Sequence, residues 1–452
     1  MNTKRYRRLI VPWLILLAIL LPVWVFFAYD RKKEFGAPGN KWVAVANENG
    51  AYLLYRNGQP YFIKGADIAS CRYLADIKKA GANSVHIYTS AHAQEILDSA
   101  QLLGLTVTVG LYMGLADKDI HYDNEKEVSA QLEKIKAEVL KYKNHPALLM
   151  WGVGNETNLF LNQGLGDLPN HIRVNKAINA VARMIHEVDP NHPAVMMVTG
   201  GSKNRISSII CDQVDIIGYN SFETFSEQIK KSYWKGPYII SEFGEPAYWT
   251  APLTAWYKHI EPTSFEKMKF MERQYKFFTS DKNCLGAYAF YWDHKQEYTA
   301  TWFSLYTKKG EPTDLTEKLH ALWTKSPLAT MNQPEKVLVN GQAQISDIYL
   351  AQEKQYPVRV LTTLPIRDST KLYWEIQTDS RQEFNLHFGM ETPQATVDSG
   401  MIFPIHALAS ISRELNFRIK APAANGPYRL FVYLKDKSDL TSTANACFYV
   451  HD

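Results

Sequence analysis

The sequence predicts an α/β fold: a (β/α)8 TIM barrel with an N-terminal transmembrane helix before it and an immunoglobulin-like β-sandwich after it. Three observations carry this reading. Leu9 to Tyr29 is apolar throughout, about the length a helix needs to cross a bilayer. Strand-like and helix-like segments then alternate through eight units as far as Trp323, the grammar of a parallel barrel. Beyond residue 334 the helical period gives way to short, mostly alternating strands separated by turns. The expected divisions are a cytoplasmic tail over 1–8, an anchor over 9–29, a linker over 30–45, the barrel over 46–325 and the sandwich over 335–452.

At the N-terminus, Lys4, Arg5, Arg7 and Arg8 precede the apolar run. The positive-inside tendency keeps that end in the cytoplasm, so a single-pass protein with its catalytic domain on the exported, periplasmic or extracellular side is expected. The alternative is a cleaved signal peptide. Against it, the run is longer than a signal core, and Phe27-Ala28-Tyr29-Asp30-Arg31 offers no small-x-small cleavage site. The overall charge of +4 is concentrated here. The first 33 residues hold seven basic side chains against Asp30, so the remainder is slightly acidic and no nucleic-acid footprint is left. Cys71, Cys211, Cys284 and Cys447 have no metal-ligand spacing, and no HExxH, Cys-x-x-Cys or phosphate loop occurs. Neither a metal nor a cofactor is expected. Export would permit disulfides, but buried thiols are the simpler reading.

The elements follow in order. Tyr52–Ile63 reads as a hairpin turning at Asn57-Gly58, a pair that accepts positive φ. Phe62–Gly65 begins the barrel and is followed by a helix near Arg72–Ala80. Ser84–Tyr88 precedes a helix over Ala91–Leu103, and Thr106–Leu111 one over Glu125–Tyr142, where Val128, Leu132, Ile135 and Val139 share a face. Leu148–Val153 is the fourth strand, with a helix over Asn170–Val188. Ala194–Thr199, Val214–Tyr219, Tyr238–Ser241 and Gly286–Trp292 supply the rest, and Leu315–Trp323 closes the barrel. Ser326–Pro334 is the linker. The expected sandwich strands are Pro357–Leu361, Lys371–Ile376, Glu383–Phe388, Leu415–Ile419, Tyr428–Tyr433 and Ala446–Val450. An open doubly wound sheet is the structural alternative, but no Gly-rich loop opens the first helix.

Active residues of such barrels sit at the carboxyl ends of strands. Two glutamates fall there: Glu156, ending the run Leu148–Glu156, and Glu242, ending Tyr238–Glu242. Paired carboxylates are what glycoside hydrolysis requires. Glu245, three residues on, is a rival for the second position, but it lies beyond Gly244 in the loop. Aromatic side chains are sugar platforms or core. Trp292, ahead of Asp293-His294, is read as a stacking face and Trp151 as packing; Tyr88 and Trp302 stay open between the two.

The run Asn144-His145-Pro146 through Trp151-Gly152-Val153-Gly154-Asn155-Glu156 resembles the acid/base segment of glycoside hydrolase family 2, a retaining clan A family. Ser241-Glu242-Phe243-Gly244 resembles the clan's nucleophile segment. Lys64-Gly65-Ala66-Asp67 also resembles the first strand of fungal β-1,3-glucanosyltransferases of the same clan. The likeness spans roughly Tyr52 to Trp323. It implies Glu156 as general acid/base, Glu242 as nucleophile, and Asn155 on the sugar 2-hydroxyl, with Asp67, His86, Tyr88, Tyr219 and Trp292 as further substrate-binding candidates. Double displacement needs the carboxyls about 5 to 5.5 Å apart, Glu156 protonated and Glu242 ionised at rest. Two positions depart from the family pattern. His86 stands where an arginine is implied, and Phe222 where a tyrosine is; Tyr219 is the substitute offered for the latter, with core packing its simpler role.

The implied activity is a retaining β-glycosidase or transglycosylase acting on β-linked glucan or oligosaccharide. The alternative is a noncatalytic carbohydrate-binding or scaffold protein of an envelope polysaccharide assembly. The expected partners are accordingly a β-linked glycan, the membrane and polysaccharide-synthesis machinery, with no nucleic acid.

Overall fold

The computed structural model describes residues 35, 39, 41–157, 159–161, 165–199, 205–222, 232–379, 394–402, 412–435 and 439–452. The expected anchor over 9–29 and the expected strand Glu383–Phe388 lie outside these residues. Among the described residues no helix is long and apolar enough to cross a membrane.

A three-stranded sheet opens the described chain: β1 (Val43–Glu48), β2 (Ala51–Arg56) and β3 (Gln59–Pro60). Asn57 and Gly58 turn between β2 and β3 with φ of 50° and 73°, as the Asn-Gly pair predicts. Eight parallel strands then close a barrel: β4 (Ile63–Asp67), β5 (Ser84–Ile87), β6 (Thr106–Leu111), β7 (Leu148–Asn155), β8 (Ala194–Thr199), β9 (Ile216–Ser221), β10 (Tyr238–Phe243) and β11 (Cys284–Ala289). The last strand stops three residues short of Trp292, which therefore lies in the loop beyond it. The helices Leu74–Lys79, Ala93–Leu102, Glu125–Tyr142, Leu168–Val188 and Ser264–Ser280 surround it. Their apolar stripes and the outward strand residues form one continuous core.

A second cluster plugs the amino end of the barrel. Ile63, Leu149, Ile216, Ile239 and Leu285, near the starts of their strands, pack with Val43, Val45, Tyr52 and Leu54 of the hairpin. Above them Tyr288 fills the middle, its hydroxyl bonded to Ser84 at 2.9 Å and Thr108 at 2.6 Å. A Cβ on Gly65 would sit 2.3 Å from the Tyr288 ring, which accounts for a glycine in that strand. With the amino end stoppered, the carboxyl end is the open one.

After the helix Asp314–Thr324, two sheets enclose a further core containing Val337, Val358, Leu372, Leu430 and Phe448. One sheet has the order β13-β12-β15-β18: β12 (Pro334–Val339), β13 (Gln342–Ala343), β15 (Gln355–Thr362), β18 (Glu414–Lys420). The other has the order β14-β20-β19-β16-β17: β14 (Ile348–Ala351), β16 (Lys371–Thr378), β17 (Thr396–Ile402), β19 (Gly426–Lys435), β20 (Thr441–His451). Sequence reading missed β12, β13, β14 and β17. β17 shows no apolar alternation because its residues are mostly solvent-facing, and β14 joins β20 in parallel rather than through a hairpin.

Buried polar contacts fasten this region to the barrel. Thr443 N donates to Ser264 Oγ at 3.0 Å, and Gln333 and Ser264 both donate to Asp314. Arg429, 1% exposed, bonds Asp379 at 2.9 Å and the carbonyl of His259, in the loop after β10, at 2.8 Å. None of the four cysteines is bonded to another, and Cys211, Cys284 and Cys447 are buried.

Candidate active site

Both strands that carry the glutamates are irregular where the carboxylates begin. The β7–β8 register shifts between Val153 and Asn155, with Gly154 at φ +66° and Glu156 at φ +49°. The β9–β10 register shifts between Ile240 and Glu242. A bulge re-aims the side chains that follow it, and here the two bulges fall at Asn155-Glu156 and Ser241-Glu242. Gly154 is needed because a Cβ there would lie 2.3 Å from Thr157 Oγ1, in a φ region disfavoured for other residues.

Asn220, near the end of β9, links the two strands. Its Nδ2 donates to Glu156 Oε1 at 2.9 Å and Asn155 Oδ1 at 3.1 Å, while its Oδ1 accepts from Ser241 Oγ at 2.7 Å. With Asn155 Oδ1 thus engaged, the Asn155 amide nitrogen is the group left to offer a ligand hydroxyl.

Beside Glu242, which is 7% exposed, the interior faces of β4 and β5 bring Asp67, His86 and Tyr88. Ser84, His86 and Tyr88 share one face by the two-residue period of a strand. His86 Nδ1 meets Asp67 Oδ1 at 2.7 Å, and its ring packs against Tyr88 at 4.8 Å. Burial lowers the His86 imidazole to about 3, so it is neutral at neutral pH. The same burial raises the Asp67 carboxyl, with Tyr88 and Lys295 pulling it back. Burial also raises the Glu242 carboxyl well above its ordinary value, helped by the charges of Glu156 and Asp67 and opposed by Lys295 and the Tyr88 hydroxyl. An ionised resting Glu242 was the expectation; its surroundings push the other way. The physical reason is burial first and the neighbouring Glu156 and Asp67 charges second, and the neutral His86 brings no positive charge to offset them.

Two of the remaining expectations, Trp292 and Tyr219, change once the fold is known; the open position of Trp302 is decided, and Glu245 lies away from the pair as its place beyond Gly244 implied. Trp292 is 2% exposed and stacks on Trp323 at 5.5 Å, so it packs the core instead of facing the cleft. Tyr219 is fully buried among outward-facing residues, bonded to Ser232 and packed on Tyr238, because Asn220 takes the inward position. Trp302 is core, donating to the Pro246 carbonyl at 2.9 Å. Glu245 is turned to Lys267 at 3.1 Å and accepts Phe303 N at 2.6 Å, away from the carboxylate pair. Trp151 is buried and donates to Asp189, as expected of a packing residue.

Phe222, Phe290, Trp302, Phe303 and Tyr248 form an aromatic wall at this end, with Tyr88, Tyr291 and Tyr298 packed against it. Trp249, half exposed, rests on Phe222 and Phe303 and presents an open ring. Sequence reading passed over Asn220, Ser241, Trp249 and Lys295. Asn220 and Ser241 had a usable signal, since both lie near the carboxyl ends of barrel strands. Among the described residues no group of three His, Cys, Asp or Glu is arranged to hold a metal.

Residues 95–299 match the family model described as glycosyl hydrolases family 2, TIM barrel domain. A β-galactosidase of Bacteroides ovatus is 23% identical over 197 residues, covering 38% of this chain and 23% of that protein, so the chain matches about a quarter of the relative's length. Among solved structures, a Bacteroides uniformis β-glucuronidase aligns with a TM-score of 0.48 and 16% identity, over 91% of this chain and 48% of that one. A β-glucuronidase from Ruminococcus gnavus aligns with a TM-score of 0.45 and 16% identity, over 63% and 52%.

Proposed function

From a barrel that resembles the catalytic domain of family 2, a clan A glycoside hydrolase family, we propose that this chain is a retaining β-glycosidase or transglycosylase acting on β-linked glucan or oligosaccharide. The observation that supports it is the meeting of Asn155-Glu156 and Glu242 at the open end of the barrel, joined through Asn220. In this reading Glu242 attacks the anomeric carbon and forms the glycosyl-enzyme bond, while Glu156 gives its proton to the departing oxygen. Glu156, now a base, takes a proton from water or an acceptor hydroxyl as that oxygen displaces Glu242. Asn155 would donate to the sugar 2-hydroxyl, and the exposed Trp249 face would stack on a sugar ring.

The apolar run over 9–29 is read as an uncleaved signal-anchor holding the catalytic domain on the exported side of the membrane, beside polysaccharide-synthesis machinery. The C-terminal region is read as an immunoglobulin-like sandwich that braces the barrel.

Turnover of a panel of aryl β-glycosides and β-glucans, followed by NMR, tests the proposal. Retention of the anomeric configuration and loss of turnover in Glu242→Gln are expected; inversion, or an active Glu242→Gln variant, would sink it. Products longer than the substrate would identify the transferase form. One observation favours the second reading, a noncatalytic glycan-binding scaffold: Glu242 is drawn toward its neutral form. Glucan binding with no turnover of any β-glycoside would establish that reading instead.

A further inference from the structure

We propose that Lys295 is the positioning residue that supplies the positive charge Glu242 requires as a nucleophile. This rests on the glycosidase reading and deepens it.

The chain after β11 is threaded between the strands that carry Asp67 and Glu242. Phe290 N donates to Phe243 O at 2.8 Å, on the β10 side, and Trp292 N donates to Asp67 O at 3.0 Å, on the β4 side. Three residues later the backbone of Lys295 is clamped by Ser304. Lys295 N donates to Ser304 Oγ at 2.9 Å, and the Ser304 hydroxyl donates back to Lys295 O at 2.8 Å. The side chain, 17% exposed, carries its ammonium across Phe290 and Tyr291 of the site wall, 4.9 and 5.6 Å from their ring centres. Glu297 holds it from the far side at 3.2 Å.

The groups around Glu242 are Asp67 from β4, Tyr88 beyond β5, Glu156 beyond β7 and Lys295 beyond β11. Two of these, Asp67 and Glu156, make with Glu242 itself a cluster of three carboxyls facing a neutral hydroxyl and one ammonium. His86 is neutral and adds nothing. Lys295 works against the upward shift of both the Asp67 and the Glu242 carboxyl. An opposite charge nearby favours the ionised carboxylate by an amount that grows as water is excluded. Lys295 is therefore placed to do, from the last loop, what no cation on β5 does. Glu297 divides the ammonium's charge and sets how much of it the cluster receives.

The test follows the Glu242 carboxyl directly. In the full chain, the infrared band of its protonated form is assigned by difference against Glu242→Gln and followed with pH. Lys295→Met should raise the midpoint by roughly one pH unit or more, Lys295→Arg should restore it, and Glu297→Gln should lower it. In kinetics, the acid limb of kcat/KM should move the same way. An unmoved midpoint in Lys295→Met, or one that Lys295→Arg fails to restore, would overturn the proposal. The Glu297→Gln arm acts in the opposite direction and stands even where Lys295→Met does not fold; an unchanged or raised midpoint there also overturns it. A shifted band in a protein that turns over no β-glycoside would uphold the electrostatic role of Lys295 and sink the glycosidase reading alone.

Discussion

Asn220 holds Glu156 by a hydrogen bond of 2.9 Å from Nδ2 to Oε1, and the same amide group reaches Asn155 at 3.1 Å. Ser241, the residue before Glu242, fixes the other end of that amide at 2.7 Å. One neutral side chain on β9 thus ties the ends of β7 and β10 together.

Asn220→Ala should therefore lower kcat by about 10- to 100-fold, the value of a hydrogen bond to a group that becomes charged as Glu156 gives up its proton. The fold should survive, because Asn220 lies at the open end and not in the apolar core. Steady-state kinetics beside a thermal melt would separate the two effects; a normal kcat would show that Asn220 does not orient the acid.

Removing the Glu242 carboxyl should stabilise the protein at neutral pH. The folded state raises this group well above its ordinary value. The folded protein thus binds a proton that the unfolded chain gives up, and the associated stability is lost as pH rises from the ordinary carboxylate value through the folded one. Glu242→Gln has no such loss. Its melting temperature should exceed the native protein's by roughly 2 °C or more near pH 7, the gap narrowing toward pH 4. A calorimetric series across pH checks this, and a constant gap would contradict it.

Trp292 belongs to the core. Trp292→Ala should destabilise by about 3–5 kcal/mol through loss of packing on Trp323. Denaturant midpoints would register it. A variant of full stability with a raised KM would instead restore Trp292 to the substrate site.

Arg429→Met should also be costly, by about 3–5 kcal/mol, since it strands Asp379 and frees the carbonyl of His259. His259 packs against Tyr248 and Tyr298, which stack at 5.1 Å beside the site. Substitution in the C-terminal region should accordingly perturb the barrel loop after Glu242. Restoration of much of the stability in Arg429→Met/Asp379→Asn is expected; an additive pair of losses would show the contacts to be independent.

The alternation of strands and helices was legible because it is written locally, in the two-residue and 3.6-residue periods. Glu156 and Glu242 could be picked out for the same reason: each follows an apolar run after a single polar residue, Asn155 or Ser241. Trp292 and Tyr219 show where this stops. A run of apolar residues does not say where pairing ends, and β11 stops at Ala289; nor does it say which of Tyr219 and Asn220 faces inward, since one residue of register exchanges them. The edge strand Ile348–Ala351 escaped because its partner, Thr441–His451, lies far along the chain, and Thr396–Ile402 because its mostly exposed residues carry no apolar alternation.

Taken by itself, the sequence determined the barrel, its open end and the two carboxylates, because period and strand order suffice for these. Only the tertiary structure decided the state of the site around them. It set the bulges that aim Glu156 and Glu242, the turn of Asn220 between them, the neutral His86 on Asp67 and the approach of Lys295 from the last loop. The physical reason is that bulges, burial and the sum of nearby charges arise between segments distant in the chain, and no local pattern records them.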